Sequence, residues 1–311
     1  FSAEDEVLSI CNGLFGVMYA GIFERYGIKV TRVATDWSKD YDPGEIDSIL
    51  KANPKIKAIS VAFSETSTGV MNDVEILGKI AREHDKLLLV DAISAAGGVE
   101  FRFDEWAVDS VVTGSQKGLM SPPGISIVVL SDKAWKAAES ATLPRYYFDL
   151  GSIRRSMTSD FPGMPGTPPI ALVAAVAEAV AMLLEEGMPN VYARSEKIAE
   201  AVRSGFVASG LKLFPENPRR RSPMAIVVES PEGFNGRVLE KAMLDEFGLI
   251  PASGLGQYEG KLVRFGTMGA FYQKDAVDMV ATVEAALVKI GARKEAGAGL
   301  KACVASLFSQ R

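Results

Sequence analysis

Histidine occurs once in these 311 residues, as His84 in the polar stretch REHDK, and cysteine twice, as Cys11 and Cys303. One histidine leaves no Ser-His-Asp triad and no histidine-rich metal site, and His84 reads as a surface residue. Two cysteines so far apart make neither a disulfide framework nor a metal spacing, which favours a reduced, cytoplasmic setting. Glycine signatures for nucleotides are missing too. No G-x-G-x-x-G follows the first strand-like run, and G-x-x-x-x-G-K-[ST] is absent. Neither charge dominates: 34 Lys and Arg face 39 Asp and Glu, a net −5 that disfavours a nucleic-acid partner. The basic run Arg219-Arg220-Arg221 reads as an exposed loop. The most apolar segment, PIALVAAVAEAVAMLLEEGM (169–188), is broken by Glu178, so it reads as a buried helix, not a membrane span. No secretory leader and no internal repeat are read.

What is present is alternation. EVLSIC (6–11), KVTRVA (29–34), KAISVAF (57–63), KLLLVDA (86–92), SVVTGS (110–115) and ISIVVLS (125–131) read as strands. Helical spacing fills 13–27, 43–53 and 72–85 between the first four. This predicts an α/β fold, a mostly parallel sheet with helices on both faces, and an antiparallel member near 110–131, where the connection is too short for a crossover. Residues 141–168 read as irregular. Thr167 is expected to cap the long helix, with Pro168 or Pro169 in its first turn. Strands at 225–230 and 261–266, with helices at 190–210, 236–247 and 274–291, predict a smaller α+β domain. The expected division is 1–168, a connecting helix 169–187, a small domain 188–292 and a tail 293–311 holding a short helix.

Open α/β sheets bind ligands beyond the carboxyl ends of their strands. Three polar residues stand at such ends: Thr66 after KAISVAF, Asp91 closing KLLLV, and Lys117 after VVTGS. Asp91 either caps the next loop or faces a cationic ligand nitrogen, since a lone buried carboxylate needs a partner. Lys117 either reaches solvent or, partly buried, serves as a nucleophile for a carbonyl. Gly114, Ser115 and Gly118 leave space there for a flat ligand. Thr66-Ser67-Thr68-Gly69 is a hydroxyl-rich turn that could cap the following helix, bind a ligand, or both. Thr167 could cap or hold an anion. Arg264 sits in KLVRFG with Val263 and Phe265 on the opposite face, either exposed or forming a fork for a carboxylate.

With ETSTGVMNDVEILGKIAREHDKLLLVDAISAAGG (65–98), SVVTGSQKGLMSPPGISIVVLS (110–131), MPGTPPI (164–170) and SGLGQYEGKLVRFGTMG (253–269), the chain resembles the class V aminotransferases. These are pyridoxal-phosphate enzymes of fold type I, and the likeness is to the alanine–glyoxylate and serine–pyruvate branch. The resemblance implies a Schiff base on Lys117 and Asp91 paired with the pyridine nitrogen. It implies Ile93 against one ring face, Thr66 on the phenolic oxygen, and Gln116 with Ser115 on the phosphate. Arg264 would hold the substrate carboxylate, and Thr167 would reach the phosphate of a neighbouring subunit in a homodimer with shared sites. Small amino acids such as alanine or serine and 2-oxo acids such as glyoxylate or pyruvate would be the substrates. Met164 stands where the family has a tyrosine. The family's glycine-rich phosphate loop and stacking aromatic ring are expected upstream of Phe1, so the fold is expected to begin before residue 1. A cysteine desulfurase-type lyase would need a cysteine on a mobile downstream loop, and usually histidine in the place of Gln116. A non-catalytic aminotransferase-like subunit, acting through its dimer surface, is the other alternative.

Overall fold

The computed structural model describes residues 1–164 and 166–309; Pro165 of the MPGTPPI stretch and Gln310 and Arg311 of the tail lie outside the described residues. The chain opens with β1 (Glu6–Ile10), α1 (Leu14–Arg25), β2 (Lys29–Val33), α2 (Pro43–Ala52) and β3 (Ile56–Ala62). A small hairpin follows, β4 (Ser64–Glu65) and β5 (Val70–Met71), then α3 (Val74–Glu83), β6 (Leu87–Asp91), β7 (Ser110–Gly114) and β8 (Ser126–Leu130). These strands, the hairpin apart, form one sheet in the order β2-β1-β3-β6-β7-β8. Every neighbouring pair is parallel except β7 with β8. That bears out the parallel sheet and its antiparallel member.

The sheet forms because β1, β3 and β6 are apolar on both faces. Leu8, Ile56, Ile59, Leu88 and Val90 are fully buried, each worth about 1.5–3 kcal/mol relative to exposure. Asp42 caps α2 by accepting from the Gly44 amide at 2.9 Å, with Pro43 in the first turn. Asp73 caps α3 by accepting from Ile76 at 3.0 Å. The Thr66–Gly69 turn therefore does not cap that helix; it is the tip of the β4–β5 hairpin. The chain leaves β1 toward β2 on one side and returns to β3 on the other. This switch point opens a crevice at the carboxyl edge, and the hairpin rises from it.

Next come α4 (Asp132–Glu139), α5 (Leu150–Met157), α6 (Ile170–Glu186) and α7 (Met188–Ala208). Short α5 lies inside the stretch read as irregular. The long helix does not begin at Thr167. Its N-cap is Pro169, without a side-chain hydrogen bond. Thr167 and Pro168 each precede a proline, whose ring disfavours helical geometry in the residue before it, so the helix starts once the Pro-Pro pair is passed.

The chain then runs through β9 (Ala225–Glu229), α8 (Gly236–Phe247), β10 (Ala252–Ser253), β11 (Leu262–Gly266), α9 (Gln273–Lys289) and α10 (Ala298–Phe308). The three strands make an antiparallel sheet, β10-β11-β9. Phe206, Ile226, Val263, Phe265, Val283 and Leu287 share a core with Cys303 and Leu307 of α10. Glu284 fastens α10 by accepting from the amides of Gly297, Gly299 and Leu300 at 3.1, 2.6 and 2.9 Å.

Two surface readings are corrected. Arg220 does not wave in solvent; it pairs with Asp73 at 2.5 Å and Asp40 at 3.3 Å, and Arg221 donates to the Pro215 carbonyl. His84 sits 2.8 Å from Asp47 and is only 17% exposed. For Arg220 and His84 the cause is the same: carboxylates distant in sequence supply acceptors. No helix among the described residues is long and apolar enough to cross a membrane.

Candidate active site

Loops after β3, β6 and β7 leave the same edge of the sheet, because those strands are parallel neighbours with Ala62 opposite Asp91 and Asp91 opposite Val112. Asp91 Oδ1 accepts from the Ile93 amide at 2.8 Å, so it does cap the next loop. Its Oδ2 has no hydrogen bond among the described residues and remains available to a ligand. Burial raises the Asp91 carboxyl above its ordinary range, against the Ile93 amide and the charge of Lys117. Lys117 is half-buried and its amine has neither a hydrogen bond nor an ion pair among the described residues. Burial, then the positive charge of Arg264, lowers its pKa, while Asp91 opposes the shift. Three groups on two different sheets thus act on one another in one crevice.

The turn presenting Lys117 is tightly built. Ser115 donates its hydroxyl to the Pro122 carbonyl at 2.7 Å and accepts from the Ile125 amide at 3.3 Å. Fully enclosed, it braces the turn from inside and offers nothing to a phosphate, which corrects its expected role. Gln116 is exposed, its amide folded beside Gly114. A Cβ on Gly118 would lie 2.3 Å from the Ala96 carbonyl oxygen, and Gly97, at φ 86°, packs against the Gly118 carbonyl. Glycine lets the lysine turn press onto the loop that carries Asp91.

Thr66 is buried, with its hydroxyl donating to Ser94 at 2.5 Å. Arg264 follows strand alternation: Val263 and Phe265 are in the core, and its own side chain emerges beside the hairpin. Its Nε donates to the Ser253 carbonyl at 2.7 Å and its Nη1 to the Thr66 carbonyl at 3.2 Å. Nη2 has no protein partner among the described residues, so the fork retains donors for a carboxylate. Thr167 and Met164 are exposed on a separate segment, and Thr167 makes no hydrogen bond to this cluster.

Three residues escaped sequence reasoning. Phe15, half-exposed in the first turn of α1, shares a helix face with Tyr19 one turn on, and the charge of Asp91 raises the Tyr19 phenol beyond the effect of burial. Phe15 therefore brings an aromatic side chain to the carboxyl edge of the sheet, in the turn after β1 that its amide ties to Glu65. The available signal was an aromatic two residues past Gly13, in the loop-to-helix turn that follows β1. Ser94 and Glu65 had no such signal; only folding brings them to Thr66 and to α1.

Pyridoxal phosphate needs an acid for its ring nitrogen, an amine for its aldehyde and donors for its phosphate. Asp91 with one free oxygen and Lys117 with a lowered, unpaired amine fit the first two needs. Gln116 is the phosphate donor on offer.

A family model described as aminotransferase class-V matches residues 16–254. The L-aspartate–glyoxylate aminotransferase of Paracoccus denitrificans is 36% identical over 305 residues, 97% of this chain and 76% of that protein. The serine–glyoxylate aminotransferase of Methylorubrum extorquens is 34% identical over 307 residues, 96% of this chain and 76% of the relative. The crystal structure of pyridoxamine–pyruvate aminotransferase from Mesorhizobium loti superposes with a TM-score of 0.93 at 29% identity, covering 99% of this chain and 79% of that one.

Proposed function

Since the chain belongs to the class V aminotransferases and is a pyridoxal-phosphate-dependent enzyme, we propose that it carries the amino group of a small amino acid, alanine or serine, to glyoxylate or pyruvate. The observation that carries this reading is Asp91 and Lys117 at the ends of adjacent parallel strands, with Arg264 reaching the same crevice from the other sheet. The names of the relatives support glyoxylate as acceptor, and the solved pyridoxamine enzyme supports pyruvate.

Pyridoxal phosphate, when bound, supplies an electron sink that makes the α-proton of an amino acid labile. Asp91 would hold a proton on the ring nitrogen, and Lys117, with its lowered proton affinity, would form the covalent link. Freed of that link, Lys117 would serve as the base for the α-proton of the substrate. Arg264 would bind the substrate carboxylate with its free donors and so orient the α-carbon. Thr66, through the hydroxyl pair with Ser94, and Ile93 would border the ring; Phe15 would cover its other face. Gln116 would donate to the phosphate.

Thr167 belongs to an exposed apolar segment where Tyr146 is 95%, Phe161 91% and Ile170 72% exposed. That surface supports a homodimer in which Thr167 serves the neighbouring site.

The test is reconstitution with pyridoxal phosphate followed by a donor and acceptor screen. A visible absorbance abolished by borohydride, and conversion of alanine or serine with glyoxylate, support the reading. A protein that stays colourless with the cofactor, or reacts with neither donor, overturns it.

A further inference from the structure

Glu65 is a carboxylate with no solvent exposure and no lysine, arginine or histidine paired to it among the described residues. Every partner it has is a neutral donor. Oε1 accepts from the Ser67 hydroxyl at 2.6 Å, the Ser67 amide at 3.1 Å and the Phe15 amide at 3.4 Å, while Oε2 accepts from the Gly16 amide at 2.8 Å. The Leu14 amide donates to the Ser67 hydroxyl at 2.9 Å. Three successive amides at the start of α1 are thus taken by the hairpin, and the positive end of that helix faces an internal anion. Gly13 makes this possible, because a Cβ there would stand 2.1 Å from Glu65 Cγ.

The hairpin that Glu65 fastens is also the seat of Arg264. Its next residue, Thr66, accepts from Arg264 through its carbonyl and bonds Ser94 through its hydroxyl. On its far side, Ser64 and Ser222 share a hydrogen bond at 2.7 Å, and the Ser222 amide donates to the Gly69 carbonyl at 2.8 Å. A cap alone does not need a buried charge. Enclosing a carboxylate is costly, and a neutral amide or hydroxyl would satisfy several of these donors. Burial pushes the Glu65 carboxyl upward despite its donors. What a charge adds is a field: Glu65 is the first counter-influence to the burial that lowers Arg264.

We propose that Glu65 is a positioning residue for the substrate carboxylate. It clamps α1 to the hairpin so that the Thr66 carbonyl holds Arg264 with one arm free. This rests on the reading of Arg264 as the carboxylate fork. Glu65 touches neither substrate nor cofactor.

Glu65→Gln keeps the shape, removes the charge and replaces one accepting oxygen by an NH2 that cannot accept from the α1 amides. The expected result is retained, borohydride-sensitive colour, a KM for both amino donor and glyoxylate raised in parallel by about tenfold or more, and kcat within about threefold of the parent. Binding of acetate to the cofactor-free protein, followed by NMR line broadening, should weaken with it. If the variant does not fold, Ser67→Ala, which keeps the charge and removes two of the bonds, should give the same pattern at about threefold. A folded Glu65→Gln variant with parental KM and acetate affinity, or one that loses kcat alone, overturns the inference, as does an unchanged KM in Ser67→Ala. A parent protein without colour refutes the proposed function instead, so the two failures are distinct.

Discussion

Arg264 of the three-stranded sheet donates to the Thr66 carbonyl at the tip of the β4–β5 hairpin, 3.2 Å away and 198 residues distant in sequence. This contact decides what each residue is free to do. The arginine keeps unpaired donors facing the crevice, and Thr66 spends its carbonyl on structure.

Lys117 and Arg264 should therefore separate cleanly by substitution. Lys117→Ala is expected to abolish the borohydride-sensitive absorbance and transamination. Arg264→Ala should keep the colour and weaken the amino donor and oxo acid by about 10- to 100-fold, the worth of a charge-assisted pair. Arg264→Lys should recover little, since an ammonium lacks the planar fork. Steady-state kinetics with absorbance spectra decide; equal loss of colour in the lysine and arginine variants contradicts the assignment.

Ser115 and Gln116 stand side by side and should behave oppositely. Ser115→Ala removes a hydroxyl that bonds Pro122 and Ile125, at a cost of about 1–3 kcal/mol of stability with cofactor affinity little changed. Gln116→Ala should leave the melting temperature alone and weaken the cofactor several-fold. Thermal denaturation and cofactor titration of both variants check this, and weaker cofactor binding in a stable Ser115→Ala variant would count against it.

Gly118→Ala places a methyl group 2.3 Å from the Ala96 carbonyl oxygen, a contact that must push the lysine turn off the Asp91 loop. The expected result is destabilisation of about 1–3 kcal/mol together with slower attachment of pyridoxal phosphate to Lys117. Rapid-mixing absorbance measures the attachment. A parental rate in the variant speaks against the close fit.

The pH behaviour follows from Asp91. Its carboxyl is raised above the ordinary 3.8, chiefly by burial, so folding favours its protonated form. Without cofactor its contribution to stability is full below that ordinary value and is lost as pH climbs through the raised one. A protonated ring nitrogen beside Asp91 reverses the sign by stabilising the carboxylate. The rise in melting temperature on adding pyridoxal phosphate should then be larger at neutral pH than at roughly pH 5, and Asp91→Asn should flatten the difference. A pH-independent rise in the parent protein would falsify the pairing.

Much of the fold was legible because the β-rich runs are apolar on both faces, a pattern that a sheet covered by helices requires. Asp91 and Lys117 were legible for the same reason: a charged residue ending an apolar run is conspicuous. Thr167 as a cap was misread because proline's effect on the preceding residue outweighs capping preference. Ser115 was misread because nothing local shows that Pro122 and Ile125 fold back upon it.

The sequence by itself determined the order of strands and helices, the carboxyl-edge placement of Asp91 and Lys117, and the side of its strand on which Arg264 emerges, since these follow from periodicities of two and 3.6 residues. Only the tertiary structure decided which groups meet. The Glu65 clamp on α1 and the Thr66 seat of Arg264 join segments tens to hundreds of residues apart. Their partners are chosen by which loops leave the same sheet edge, and local pattern carries no record of that.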